Sequence, residues 1–363
     1  MHDAAVQRQP GKPRRRLRSD PGRREDGCAT PAHPADARTG RSFGELTGGI
    51  LGPCVDCAKC REQVSTGGAR RRPALGSRAV RIRPFDPSSD ALEPALGEAF
   101  ERDLTRAERC FVAEARDGQV AGLVAFGDPD DEHVVVELLE LPWEADHDGL
   151  GRRLLEESLA QLPERPAALW YLLDDPHPWH GHPEARKRLL ESVGFEVARV
   201  TRRWERGGRV EPVTDALSYR SVDEVGDAAF EAAVVRVVHG SLDRRLHAHD
   251  AHRQTTFLLG LEHEPAHYEL GYGTDGSLVG LIAGARVASQ PIVALLGVTP
   301  EHRGRGHGLA LLARATNHLA GAGERPIRAD TDQRNVPMAR CFARLGYEQF
   351  ATRTEYVRAQ RPR

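Results

Sequence analysis

The chain has 363 residues, 39% of them hydrophobic, and a formal net charge of −2 at neutral pH. That is enough material for two domains, and the charge balance argues against a general polyanion or membrane-surface binder. No apolar run reaches the length that spans a bilayer, the six cysteines show no secreted disulfide framework, and no signal peptide is evident, so a cytoplasmic protein is expected.

Residues 1–77 stand apart. They hold 15 Lys and Arg against 8 Asp and Glu, a balance of +7 that leaves −9 for the remainder. Rich in Arg, Pro and Gly and poor in large apolar residues, they read as a disordered tail, with a solvated basic segment favoured over a nucleic-acid arm. Cys54, Cys57 and Cys60 have a spacing that thiolate metal sites use, with Cys28 as a conceivable fourth ligand. No second pair follows, and the expectation is a cysteine run without metal.

Residues 78–206 form a first module. Asp117-Gly-Gln-Val-Ala-Gly-Leu-Val-Ala125 reads as a turn entering a strand, Asp148-Gly-Leu-Gly-Arg-Arg-Leu-Leu155 as a glycine-containing helix start, and Val193-Gly-Phe-Glu196 as a helix end entering a strand. His177, His180 and His182 lie in a proline-broken loop with no ligand spacing. The stretch Arg206-Gly-Gly-Arg-Val-Glu-Pro212 reads as a linker.

The second module, residues 213–359, opens with a strand at Leu217–Tyr219 and a helix over Asp223–Val238. His247, His249 and His252 follow; a solvated helix or the rim of an acceptor pocket fits them better than metal. Two hairpin strands, His267–Gly273 and Leu278–Val287, meet at Thr274-Asp275-Gly276-Ser277. An apolar strand, Ile292–Val298, runs into Thr-Pro-Glu-His-Arg303-Gly-Arg-Gly-His-Gly308, and Leu309, Leu312, Thr316 and Leu319 continue at helical spacing. Gly304, Gly306 and Gly308 allow a tight turn and close ligand approach. The helix start supplies free N–H groups, and Arg303 and Arg305 supply charged donors, so the loop reads as a pyrophosphate cradle. It lacks the Lys-Ser/Thr of a P-loop and the spacing of a dinucleotide fold. A strand near Ile327–Asp330 and a helix ending at Gly346 complete the module.

The two modules match in order. Asp117–Ala125 mirrors Asp275–Ala283, Asp148–Leu155 echoes Arg305–Leu312, and Val193–Glu196 echoes Leu345–Glu348, which argues for internal duplication. In the first copy Asp146 and Asp148 stand where the second has Arg303 and Arg305, and carboxylates repel a pyrophosphate. The position of Asn335 falls near Pro183. The first module is therefore expected to be degenerate, with a structural role or a part in shaping the acceptor site.

The pattern Arg303-x-x-Gly306-x-Gly308 after a strand, then Asn335-x-x-Met338-x-x-x-Phe342-x-x-x-Gly346-Tyr347, resembles the GNAT acetyltransferase superfamily. The resemblance implies an α/β fold of two tandem modules, each a mixed, largely antiparallel splayed sheet flanked by helices. It implies acetyl-CoA as co-substrate, with the pantetheine arm along Leu296, Gly297 and Val298, the pyrophosphate on Arg303, Gly304, Arg305, Gly306, His307 and Gly308, and Asn335 either on the cofactor arm or capping its helix. An amine acceptor, small molecule or peptide, would attack the thioester directly.

Two departures weaken the catalytic pair. Phe342 occupies the helix position where the family often has a tyrosine acid, and the Ile292 strand has no glutamate. Asp330 and Cys341 are the remaining candidates, with Asp332 and Glu269 behind them; each carboxylate also reads as structural, and Cys341 lies about 100° round the helix from Phe342. A mycothiol-synthase-like enzyme, and a non-catalytic acyl-CoA-binding or regulatory protein, are the alternatives.

Overall fold

The computed structural model describes residues 80–359, less 128–132, 145–146, 163–165, 177–179, 215, 245, 247–250, 288–289 and 321–325. The expectations for the tail with Cys54, Cys57 and Cys60, and those for Asp146, His177, His247 and His249, lie outside the described residues.

The first module runs β1 (Arg81–Pro84), α1 (Pro94–Glu101), β2 (Cys110–Glu114), β3 (Val120–Gly127), β4 (His133–Glu140), α2 (Asp148–Gln161), β5 (Ala168–Asp175), α3 (Pro183–Ser192) and β6 (Glu196–Arg206). The second repeats this plan. It runs β7 (Ser218–Ser221), α4 (Val222–Val225), α5 (Asp227–Val238), α6 (Ala251–Gly260), β8 (Tyr268–Tyr272), β9 (Leu278–Val287), β10 (Gln290–Val298), α7 (His307–Leu319), β11 (Ile327–Asp332), α8 (Val336–Arg344) and β12 (Glu348–Ala359). The helix expected over Asp223–Val238 is two helices. A capping box of Ser221 and Glu224 starts the first, and Gly226, at φ +81°, ends it.

All twelve strands form one sheet, in the order β1-β2-β3-β4-β5-β12-β6-β11-β10-β9-β8-β7. Only β4–β5 and β10–β11 pair in parallel. The order shows an exchange that the repeat pattern does not reveal. β12 lies against β5 of the first module, and β6 against β11 of the second. Aligning Gly194 with Gly346 aligns Thr201 with Arg353, and those two residues face each other where β6 pairs with β12. The local two-fold passes there. The cores follow the exchange: Tyr356 of β12 belongs to the first module's core, and Trp204 of β6 to the second's.

Strand alternation separates the faces of the second module. Leu281 and Ala283 pack with Phe230 and Val234 of α5, while Ile282 between them packs with Leu311 and Leu312 of α7. At the junction, four buried or nearly buried charges form a ladder across β5, β12, β6 and β11. Arg353 Nε donates to Asp174 Oδ1 at 2.6 Å and Arg203 Nη1 to Asp174 Oδ2 at 2.8 Å, while Arg203 Nε donates to Asp330 Oδ1 at 3.3 Å. Burial works to raise the Asp174 carboxyl, but the two guanidiniums outweigh it and hold it well below the usual carboxylate range. Among the described residues no helix is long and apolar enough to cross a membrane.

A β-bulge stands at the same place in both modules. Register slips between Ala125 and Phe126 on β3, leaving Glu137 as the extra residue of β4; on β10 the slip leaves Ala294. Burial pushes the Glu137 carboxyl up to about 8. The unfolded chain releases that proton near pH ~4.3, so stability falls as pH rises to about 8 and is level above it. Glu137→Gln is therefore expected to raise the thermal midpoint by roughly 4 °C at pH 8.5, and to change it little at pH 4.5. Scanning calorimetry at the two pH values checks this; an equal shift at both would contradict it.

Candidate functional site

β10 and β11 share a single registered pair, Ile292 with Arg328, and then separate. Beyond it Leu296, Gly297 and Val298 remain paired to β9, so the other edge of β10 opens into the gap. The loop after β10 begins with a 3₁₀ turn, Pro300–His302, and ends at the first residue of α7. Gly304 and Gly306 both have positive φ, +76° and +90°, alternating with Arg305 and His307. This alternation turns successive N–H groups toward one concavity, the geometry of an anion-binding nest, and the helix start adds its partial positive charge. The N–H groups of Gly304 to Gly308 bond to no backbone carbonyl, whereas that of Arg303 is taken by Pro300 O at 3.3 Å. The concavity is open: a Cβ built at Gly304 or Gly306 meets nothing within 4 Å, and one at Gly308 meets Cys341 Sγ and Val298 Cγ2 at 3.9 Å.

The Arg303 side chain is engaged within the protein. Four of its N–H groups donate to backbone carbonyls: Nε to Val298 O at 3.0 Å, Nη1 to Gly240 O at 2.9 Å, and Nη2 to Val237 O at 2.9 Å and His239 O at 2.7 Å. It clamps the end of α5 to the end of β10. Asn335 caps α8, its side-chain oxygen accepting from Met338 N at 3.3 Å, which leaves its amide nitrogen free to serve a ligand.

The expected acids and bases are engaged elsewhere. Asp330 belongs to the junction ladder, and Asp332 accepts from Arg334 N at 2.9 Å and Arg244 N at 3.3 Å. Glu269 accepts from Nε and Nη2 of Arg314 and pairs with His318. Burial works to raise its carboxyl, and these partners pull it below the ordinary value. Burial pushes the Cys341 thiol up, away from the thiolate form. Phe342 is buried, stacked on Trp204 with ring centroids 5.5 Å apart, and Tyr347 packs against it in the same core. Ala294 holds the bulge position that carries Glu137 in the first module.

A cleft lies beside the segment that Arg303 clamps, lined by His239, Gly240, Ser241, Asp243, Arg244 and Arg334 among others. One wall is the segment after α5, the other the turn after β11. The first module braces its wall: Arg199 of β6 pairs with Asp243 at 2.5 Å and Glu355 at 3.0 Å, and Arg244 Nη1 donates to Ala198 O at 3.0 Å. Sequence reasoning missed Arg199 because nothing local signals that β6 sits beside β11. Among the described residues no group of three metal-ligating side chains converges.

The corresponding gap in the first module is filled. β4 and β5 hold four registered pairs, from His133–Ala168 to Val136–Tyr171. Past them the buried Arg186 of α3 enters. Its Nη1 donates to Leu139 O at 2.6 Å and Tyr171 Oη at 2.9 Å, its Nη2 donates to Glu140 at 2.9 Å, and its guanidinium lies 4.3 Å from the Trp143 ring centre. A Cβ at Gly151, the counterpart of Gly308, would meet Leu189 Cδ2 at 2.5 Å and Leu141 Cδ1 at 2.8 Å. The repeat places Arg186 and Leu189 where the second module has Met338 and Cys341. Two larger or charged side chains close one gap, and two slimmer ones leave the other open.

Comparison with known proteins agrees with this geometry. Residues 237–347 match the model of the acetyltransferase (GNAT) family. A mycothiol acetyltransferase of Clavibacter sepedonicus is 27% identical over 317 residues, covering 77% of this chain and 96% of the relative. Another, from Clavibacter michiganensis subsp. michiganensis, is 29% identical over 229 residues, covering 58% and 68%. The fold is similar to that of a GCN5-related N-acetyltransferase from Sphaerobacter thermophilus, with a TM-score of 0.54 at 19% identity, covering 73% of this chain and 86% of that one. With the duplicated plan and the loop after β10, these matches place residues 237–347 among the GNAT acetyltransferases, which take their acetyl group from acetyl-CoA, and make the whole chain similar to two-module proteins of that kind.

Proposed function

We propose that the second module transfers the acetyl group of acetyl-CoA to a primary amine of a small molecule or peptide by direct attack, and that the first module binds no acetyl-CoA. The observation that carries this reading is the pairing of an open N–H nest at Gly304–Gly308 with the unpaired edge of β10, against an Arg186-filled gap in the other half. The pyrophosphate lies on the nest and the pantetheine arm along Leu296–Val298, like an added strand. Asn335 adds its free amide N–H₂. A β10 backbone N–H polarises the thioester carbonyl. The amine nitrogen forms the new C–N bond as the C–S bond breaks. Its proton leaves to water and the thiolate is protonated from water, because Phe342 has no proton to give and Asp330, Asp332 and Glu269 are held in ion pairs.

A mycothiol-type acceptor is the second reading, favoured by the match that spans 96% of a relative of that name. Thiol release from acetyl-CoA by the full chain, measured against simple amines, aminoglycosides, peptide N-termini and a mycothiol-type acceptor, tests both. Turnover on one class identifies the acceptor. Acetyl-CoA binding without thiol release on any of them would contradict a transfer reaction in this module.

A further inference from the structure

We infer that the cleft lined by His239, Gly240, Ser241, Asp243, Arg244 and Arg334 takes the acceptor, and that Arg303 is a positioning residue that couples the cofactor loop to it rather than a ligand of the cofactor phosphates; this rests on the reading of Gly304–Gly308 as the cofactor loop. The end of α5 leaves carbonyls with no partner in the helix, and a cation there also suits the helix dipole. Arg303 meets both needs at once, binding Val237 O, His239 O and Gly240 O together with Val298 O at the end of β10. The approach is close: a Cβ at Gly240 would stand 3.4 Å from Arg303 Nη1.

The clamped segment borders both β10 and the cleft. On the cofactor side, a Cβ at Gly297 would meet Val237 Cβ at 2.6 Å, so the end of α5 seats directly on the part of β10 assigned to the pantetheine arm. On the other side, His239, Gly240, Ser241 and Asp243 form one wall of the cleft that Arg334 closes. The backbone of Arg303 immediately precedes the nest, so an anion that orders Gly304–Gly308 also orders the point from which the clamp reaches. Acetyl-CoA binding thereby fixes the wall of the cleft. A planar guanidinium is needed to reach four carbonyls from one stem; a lysine ammonium keeps the charge and loses the fork.

The test is amide hydrogen exchange over residues 238–244 of the full chain, with and without acetyl-CoA, in the wild type, Arg303→Lys and Arg303→Met, alongside calorimetric affinities for acetyl-CoA. In the wild type acetyl-CoA is expected to slow exchange in this segment severalfold. In both variants the segment exchanges about tenfold faster than in the wild type and acetyl-CoA no longer slows it, while Arg303→Lys binds acetyl-CoA within about threefold of wild type. A tenfold or greater loss of acetyl-CoA affinity in Arg303→Lys, with exchange over 238–244 unchanged, would make Arg303 a phosphate ligand and overturn the inference. Wild-type binding without slower exchange would overturn the coupling while leaving the cofactor site intact. No binding by the wild type would overturn the cofactor site itself, and the inference with it.

Discussion

Arg353→Met is expected to lower the stability of the whole chain by roughly 3–5 kcal/mol, the cost of removing one partner from a buried ion pair. Arg353 is 1% exposed and Asp174 2% exposed. Without Arg353, Asp174 keeps Arg203, which also serves Asp330, and the weaker influence of His180, so a buried carboxylate is left half-satisfied. Methionine keeps the stem volume, so the loss reports charge rather than a cavity. The site is also where the modules join: Arg353 stands on β12, which is sandwiched between β5 and β6. Both modules should therefore lose structure in one transition. Adding Asp174→Asn to Arg353→Met should recover part of the loss, because it removes the stranded charge. Urea denaturation of the wild type and both variants checks this. A single-variant change within about 0.5 kcal/mol, the range of an ordinary surface substitution, would contradict the ladder.

That ladder also marks where sequence reading stops. β9, β10, the glycine loop and α7 were legible because alternation, a turn and helical spacing are local properties, and the structure keeps Leu278–Val287 with the expected bounds. The duplication was legible because three segments recur in order. The strand exchange was not. Glu348–Ala359, with Arg353, Glu355 and Arg358 among its residues, has the composition of a solvated edge strand, yet it is central and Arg353 and Glu355 are buried. Which strand lies beside it is decided by packing of Tyr356 in one core and Trp204 in the other. The carbonyl partners of Arg303 were hidden for a related reason. An arginine in a glycine loop suggests an anion, but the end of α5, more than sixty residues earlier, brings carbonyls that take its N–H groups first. Arg186 escaped notice because nothing local in Pro183–Ser192 marks a buried guanidinium; its partners lie on β4 and β5.

The second large effect is expected from Gly306→Val. At φ +90° a β-branched residue is strained by about 1–3 kcal/mol, and relief comes from rotating the peptide planes that aim the nest. The unliganded loop has room for the side chain, since nothing lies within 4 Å of the added Cβ. The space it takes is that assigned to the pyrophosphate. The fold should survive, with far-ultraviolet circular dichroism unchanged, while affinity for acetyl-CoA falls by at least ~100-fold, or about 2.7 kcal/mol.

The central claim is that acetyl-CoA binds at this nest and nowhere else in the duplicated chain. Calorimetric titration of acetyl-CoA into the full-length protein tests it most directly. One site per chain, lost in Gly306→Val, is the predicted result. Two sites per chain, or one site that Gly306→Val leaves untouched, would show that the Arg186-filled gap of the first module opens to cofactor after all.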